Sequence, residues 1–195
     1  MKRREMLHAL AAAAALPWVP RDVARAAEHV RHVRASGRGG SFEPKFFTPH
    51  EWQTVRVLVD LIIPKDERSG SATDAGVPEF MDFIMTDRPE FQTAMRGGLA
   101  WLDAECRSRF GKTLVACAEA ERTQVLDDIA WPERAKPEFS HGTAFFTRFR
   151  DLTASGFWSS KMGVEDLQYM GNQFLTEWKG CPPAAVRKLG LSAAD

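Results

Sequence analysis

The chain has 195 residues, of which 44% are hydrophobic and 10% aromatic. This composition is enough for one folded domain and argues against an intrinsically disordered chain. The 26 basic and 26 acidic residues give a formal net charge of zero, so the sequence lacks the basic excess of a nucleic-acid-binding protein. The three cysteines are too few for a disulfide scaffold and lack the spacing of a haem or iron–sulfur site.

Residues 1–26 have the features of a twin-arginine export signal. Arg3 and Arg4 are followed by one further residue and then by apolar ones, the pattern of such leaders. The alanine-rich run that follows ends at Leu16, well short of the roughly 20 residues that a membrane-spanning helix needs. Residues 24–26 read A-x-A, a cleavage pattern. We therefore predict a periplasmic protein without a transmembrane span; the alternative is an amphipathic N-terminal helix.

Residues 27–46 are predicted to be a flexible linker. They are basic at first and become rich in glycine and serine over residues 36–41, and they show no periodic apolar face. His29 and His32 are three residues apart, but a pair without further ligands is more often exposed than metal-binding.

A helical domain is predicted over residues 47–195. Thr48, Pro49 and Glu51 form a capping-box pattern in front of a helix that is apolar on most sides and ends near Ile63, which we expect to be the central helix. Apolar residues at helical spacing predict five further helices, over residues 77–86, 89–110, 118–130, 142–155 and 183–189. No alternating strand is found, so the predicted fold class is all-α: a compact orthogonal bundle of five or six helices with a long aromatic-rich C-terminal loop.

The aromatic stretch from Phe157 to Pro183 contains two of the six tryptophans and the only tyrosine. Its rings recur at neither period 2 nor period 3.6, which predicts an ordered loop with turns at its glycines. Two interpretations are open for these rings. They either cap the chain's own core, or they are contact anchors for another protein, where Trp and Tyr are enriched.

Three segments of this stretch resemble the gluconate 2-dehydrogenase subunit 3 family: Gly156-Phe157-Trp158, Tyr169-Met170-Gly171-Asn172 and Glu177-Trp178-Lys179-Gly180-Cys181-Pro182. Members of that family often read Tyr-Gly-Gly-Asn where this chain has methionine in second place. The resemblance resumes in residues 47–64 and 75–77, so that it extends over most of the chain after residue 46.

The resemblance implies a non-catalytic small subunit of a periplasmic FAD-dependent sugar dehydrogenase of the glucose–methanol–choline type. The catalytic flavoprotein subunit would bind the FAD, with an iron–sulfur cluster as a further candidate, and would pass electrons to a cytochrome c. In this family the large subunit lacks a leader and is exported bound to the small one. The variant segments resemble members found beside glucoside 3-dehydrogenases. The predicted partner contacts are Phe157, Trp158, Tyr169, Asn172, Trp178 and Cys181.

No dinucleotide fingerprint, Walker loop or paired-histidine metal motif occurs in the sequence, so we expect the chain to bind no cofactor itself. The rival hypothesis is an independent periplasmic helical enzyme or ligand-binding domain with a pocket under the aromatic loop.

The chain has an odd number of cysteines, and one of them, Cys181, lies between Gly180 and Pro182. It either forms a disulfide with the catalytic subunit or is a packed thiol, and non-reducing electrophoresis separates the two.

Overall fold

The computed structural model describes residues 20–35, 42–169, 171, 174, 176–177 and 180–190. Within these ranges the fold is all-α, as the sequence predicts, and no strand occurs. Six helices have more than ten residues: α1 (Pro20–Ala35), α2 (Pro49–Ile62), α4 (Val77–Asp87), α5 (Gln92–Phe110), α6 (Glu119–Ala130) and α7 (Ser140–Ser159). Three are short: α3 (Ala72–Ala75), α8 (Lys161–Asp166) and α9 (Pro183–Lys188). Short 3-10 turns occupy Pro89–Phe91, Leu114–Ala116 and Pro137–Phe139.

The central helix is α7, which packs against each of α1 to α6 and against α8. The expectation that α2 is central is therefore wrong, although its predicted bounds and its Thr48 capping box are confirmed. The inner face of α7 is aromatic, and its Phe149 is fully buried. Because rings this large fill the space between several neighbours at once, α7 can serve as the common core element of the bundle.

Two glycines allow α5 and α7 to approach each other closely. A Cβ at Gly98 of α5 would lie 1.9 Å from the ring of Phe145, and one at Gly142 of α7 would lie 2.5 Å from the ring of Trp101. Each helix thus supplies one ring and one glycine that receives the partner's ring.

Helix α1 corrects the prediction of a flexible linker from residue 27. Residues 20–35 form one continuous helix, and Ala26, Ala27 and Val30 are buried in the core. The face that packs consists of Val23, Ala26, Ala27 and Val30, which recur at helical spacing, and the predicted cleavage after Ala26 divided this stripe between two segments. The A-x-A pattern at residues 24–26 lies in the middle of this helix.

Polar contacts also hold α1 against α4 and the turn that follows it. The carboxylate of Asp22, itself buried, accepts a hydrogen bond from Arg88 at 2.5 Å. Arg25 pairs with Asp87 at 3.4 Å, and the ring of His29 stacks on Phe83 with centroids 4.5 Å apart. Burial lowers the pKa of His29, which favours the neutral ring in this stack.

Asp82 holds the chain where it enters the helical domain. This carboxylate of α4 is buried and accepts three backbone N–H bonds, from Lys45 and Phe46 at 2.9 Å each and from Phe47 at 3.2 Å. The bonds satisfy backbone donors that would otherwise be buried without a partner. Residues 45–47 are therefore a fixed part of the domain rather than linker.

None of the described helices is long and apolar enough to cross a bilayer.

Candidate functional site

The predicted partner-contact stretch begins at the corner between α7 and α8. Ser160 caps α8 by accepting a hydrogen bond from the backbone N–H of Gly163 at 3.0 Å. A Cβ at Gly163 would lie 2.1 Å from the carbonyl oxygen of Phe157, so only glycine permits this tight corner. The corner fixes the direction in which the chain leaves the bundle.

Phe157 and Trp158 lie on α7, which continues to Ser159 instead of ending near residue 155. Phe157 is 1% exposed and belongs to the core, so its prediction as a partner contact is corrected: its helical phase points it inward. Trp158 is 39% exposed and meets the Phe157 ring edge-on, with centroids 4.9 Å apart. Of this pair, Trp158 is the residue whose surface is available to a partner.

Beyond α8 the chain forms what we call the C-terminal arm (residues 167–190). Every described residue of the arm is exposed except Val186, which is partly buried. Tyr169 is 62% exposed and Phe174 is 90% exposed. The described rings of the arm therefore do not cap the chain's own core, which was one of the two interpretations of the sequence.

An ion pair anchors the base of the arm. Arg68, from the loop between α2 and α3, lies 3.1 Å from the carboxylate of Asp166 at the end of α8 and also donates to its backbone carbonyl. The pair is largely open to solvent on the arginine side, so we expect it to contribute orientation more than stability. The arm thus starts from a fixed point on the bundle.

The remaining predicted site residues differ in their placement. Cys181 is an exposed free thiol on the arm. Arg3, Arg4, Asn172 and Trp178 lie outside the described residues. Leu167, Phe174 and Leu189 were not singled out from the sequence, yet they are exposed apolar residues of the same arm. The aromatic and leucine content of the stretch was the signal that could have identified them.

The other two thiols are buried in the bundle. Cys106 is fully buried, as expected for a small apolar group, and Cys117 lies beside it. Burial, together with the neighbouring Cys117 thiol, raises the pKa of Cys106 to about 12. Since the thiolate is the reactive form, Cys106 is inert near neutral pH. Cys181 is the accessible thiol of the described chain.

A groove of about 400 Å³ lies between α1 and α8, close to the base of the arm. Its floor is apolar and includes Phe80 and Met162, and its rim includes Lys161 and Glu165, which pair with each other at 3.7 Å. The Ser160 hydroxyl in its wall is engaged in the cap of α8. The groove suits an apolar side chain better than it suits a nucleophilic reaction. Among the described residues no group of three or more His, Cys, Asp or Glu could hold a metal ion.

Comparison with known proteins gave one match. The family model described as gluconate 2-dehydrogenase subunit 3 matches residues 49–177. The matched range runs from the start of α2 into the arm and leaves out α1. No curated protein and no solved structure showed significant similarity to the chain.

Proposed function

Because the chain belongs to the gluconate 2-dehydrogenase subunit 3 family, we propose that it is the small accessory subunit of a flavin-dependent dehydrogenase complex. In this proposal the chain is not catalytic, and its task is to bind, stabilise and escort the catalytic subunit. The observation that carries the proposal is the C-terminal arm, whose described rings face solvent instead of the core.

The arm has the properties of a docking element. Tyr169 and Phe174 expose large rings, and exposed apolar surface of this kind is typical of protein contacts. Tyr and Trp carry much of the binding energy in such contacts because they bury a large area with few rotatable bonds. Trp158 stands in the last turn of α7, and α8 and the arm follow it directly in the chain. Together these residues would form one contact surface.

The partner in this proposal is a catalytic flavoprotein of the glucose–methanol–choline type that acts on sugars, with glucoside 3-dehydrogenases as the narrower candidate. The FAD, and an iron–sulfur cluster if one is present, would belong to that subunit, and a cytochrome c would accept the electrons. These assignments rest on the family resemblance of residues 156–182 and not on a pocket of this chain. Spectroscopy of the isolated complex would test them, since flavin, haem and iron–sulfur groups absorb differently.

Export is the second part of the proposal. Arg3 and Arg4 would direct the chain, already folded, through the twin-arginine pathway to the periplasm. A folded small subunit can carry a bound partner that has no leader of its own. The described fold supports this order of events, because the arm is presented by an assembled bundle.

Single replacement of Tyr169 or Phe174 by Ala is expected to weaken binding of the catalytic subunit by about 2 kcal/mol each. The reason is that either ring would lose its buried contact with the partner. Titration of the purified catalytic subunit with each variant measures the loss. Because both rings are exposed in the free chain, circular dichroism and the unfolding midpoint should stay at the wild-type values.

Replacement of Gln124, an exposed residue of α6 that lies outside the arm, by Ala is the control and should leave the affinity at the wild-type value. Wild-type affinity in both ring variants would contradict the docking role of the arm. Unfolding of the isolated variants would mean instead that the rings cap the core.

A further inference from the structure

A second concave surface of about 420 Å³ lies between residues 132–137 and the first half of α7. Two cations, Lys136 and Arg148, line it together with the hydroxyls of Ser140, Thr143 and Thr147, and none of its described lining residues is a carboxylate. Its lining has the composition of a site for an anionic group.

Arg148 is the notable member of this surface. It is partly buried and, among the described residues, has neither a hydrogen bond nor an ion pair. Burial without a compensating carboxylate lowers the pKa of its guanidinium. Arg150, two residues along the same helix, pairs with Asp151 at 3.6 Å. A partly desolvated cation without a counter-charge is unfavourable in the free chain, and an incoming anion removes that penalty.

An exposed tryptophan adjoins this surface in the chain. Trp131 is 59% exposed and directly precedes Pro132, one of the lining residues. The guanidinium of Arg134 lies over its ring at 5.8 Å from the centroid. Tryptophan and arginine are among the residues most enriched at binding hot spots, and here they stand on either side of a lining residue in the chain.

We propose that this surface, which Lys136 and Arg148 line and which Trp131 adjoins in the chain, is a second docking site that receives a carboxylate side chain from an acidic segment of the catalytic subunit. The planar fork of a guanidinium matches the two oxygens of a carboxylate, while Lys136 adds a second positive charge. Pro132 and Pro137 form apolar walls against which the methylene groups of a Glu side chain can pack. The partner named here rests on the proposed accessory function.

The test compares the affinity of the purified catalytic subunit for the wild-type chain and for Arg148→Gln. We expect a loss of about 30-fold or more for Arg148→Gln, because its carboxylate partner would be left buried and unpaired. Trp131→Ala should also weaken binding. Arg150→Gln is the matched control, since this arginine has its own carboxylate, and should stay within about twofold of wild type. Since Arg148 has no hydrogen-bond or ion-pair partner within the described part of the free chain, its replacement should not lower the unfolding midpoint. Affinity of Arg148→Gln within twofold of wild type would overturn the proposal and leave the accessory function standing.

A second measurement keeps the site testable if the catalytic subunit does not bind even the wild-type chain. In that case the accessory function fails, and the ¹⁵N-labelled full chain is titrated with sodium glutarate. A saturable shift of the Arg148 side-chain Nε–H resonance, with the Arg150 resonance unchanged, supports a carboxylate site at this surface. Equal or absent shifts of both resonances refute it. Titration with inorganic phosphate under the same conditions distinguishes a carboxylate preference from general anion binding.

Discussion

Replacing Phe157 with Ala is expected to lower the free energy of unfolding by about 3–5 kcal/mol. The ring is 1% exposed and is among the largest fully buried side chains of the bundle, so its removal leaves a cavity at the end of α7. Urea denaturation of the isolated chain, followed by circular dichroism, measures the change.

The adjacent residue is the matched control for this experiment. Trp158 is 39% exposed, and its replacement by Ala should cost much less stability than that of Phe157. Trp158→Ala should instead weaken binding of the catalytic subunit. The reverse outcome, a stable Phe157→Ala chain that no longer binds, would restore Phe157 as a partner contact and contradict its place in the core.

A chain that starts at Ala27 is expected to be less stable than one that starts at Pro20 by about 3 kcal/mol from lost apolar contacts alone. The truncation removes Ala26, which is fully buried, and Val23, which packs against the core. It also removes Asp22, so that Arg88 loses one of its two carboxylate partners, Glu90 being the other. Residues 27–35 form little more than two helical turns, too few for a stable helix without those contacts. Thermal denaturation of the two chains gives the difference.

The contribution of α1 to stability bears directly on where the export leader is cleaved. Cleavage after Ala26 would cut α1 in its middle, so we propose that the exported chain keeps the helix from Pro20 onward. The intact mass of the exported chain decides the point. Equal stability of the two truncated chains, or an exported chain that begins at Ala27, would show that α1 is dispensable.

Most of the bundle follows from local sequence rules. The bounds of α2, α4 and α6 agree with the predicted ones within about two residues. In α2 and α4 an apolar face and a proline in the first turn gave the signal. Thr48 starts α2 with a capping box, and Gly111 ends α5 with a φ of +71°. In each case the side-chain chemistry within one turn determines the boundary.

Helix α1 was missed although Val23, Ala26, Ala27 and Val30 recur at helical spacing, because the predicted cleavage after Ala26 divided this stripe between a leader and a linker. The burial of Asp22 could not be predicted locally, because it depends on Arg88, which lies opposite it in the fold. The role of Asp82 was missed because its three backbone partners lie more than thirty positions earlier in the chain. Apolar periodicity indicates which face of a helix is buried by hydrophobic contacts. It does not indicate which charged residues are buried as ion pairs.

The sequence predicted only part of the candidate site. The predicted helix stopped at residue 155, whereas in the bundle Gly156 continues it as a packing residue: a Cβ there would lie 2.9 Å from the ring of Phe80. The helix therefore continues and turns Phe157 inward. The exposed arm did follow from its unusual ring content, as one of two interpretations. The unpaired Arg148 had no signal in the sequence, since only the fold shows which charges lack a partner.

The most direct test of the account is cell fractionation after co-expression of the chain with the catalytic flavoprotein proposed as its partner. We expect both proteins in the periplasm with the wild-type chain, and both in the cytoplasm when Arg3→Lys and Arg4→Lys are combined. The double replacement keeps the positive charge, so a loss of export reports recognition of the arginine pair. A flavoprotein that reaches the periplasm in normal amounts beside the double variant would contradict the claim that this chain escorts it.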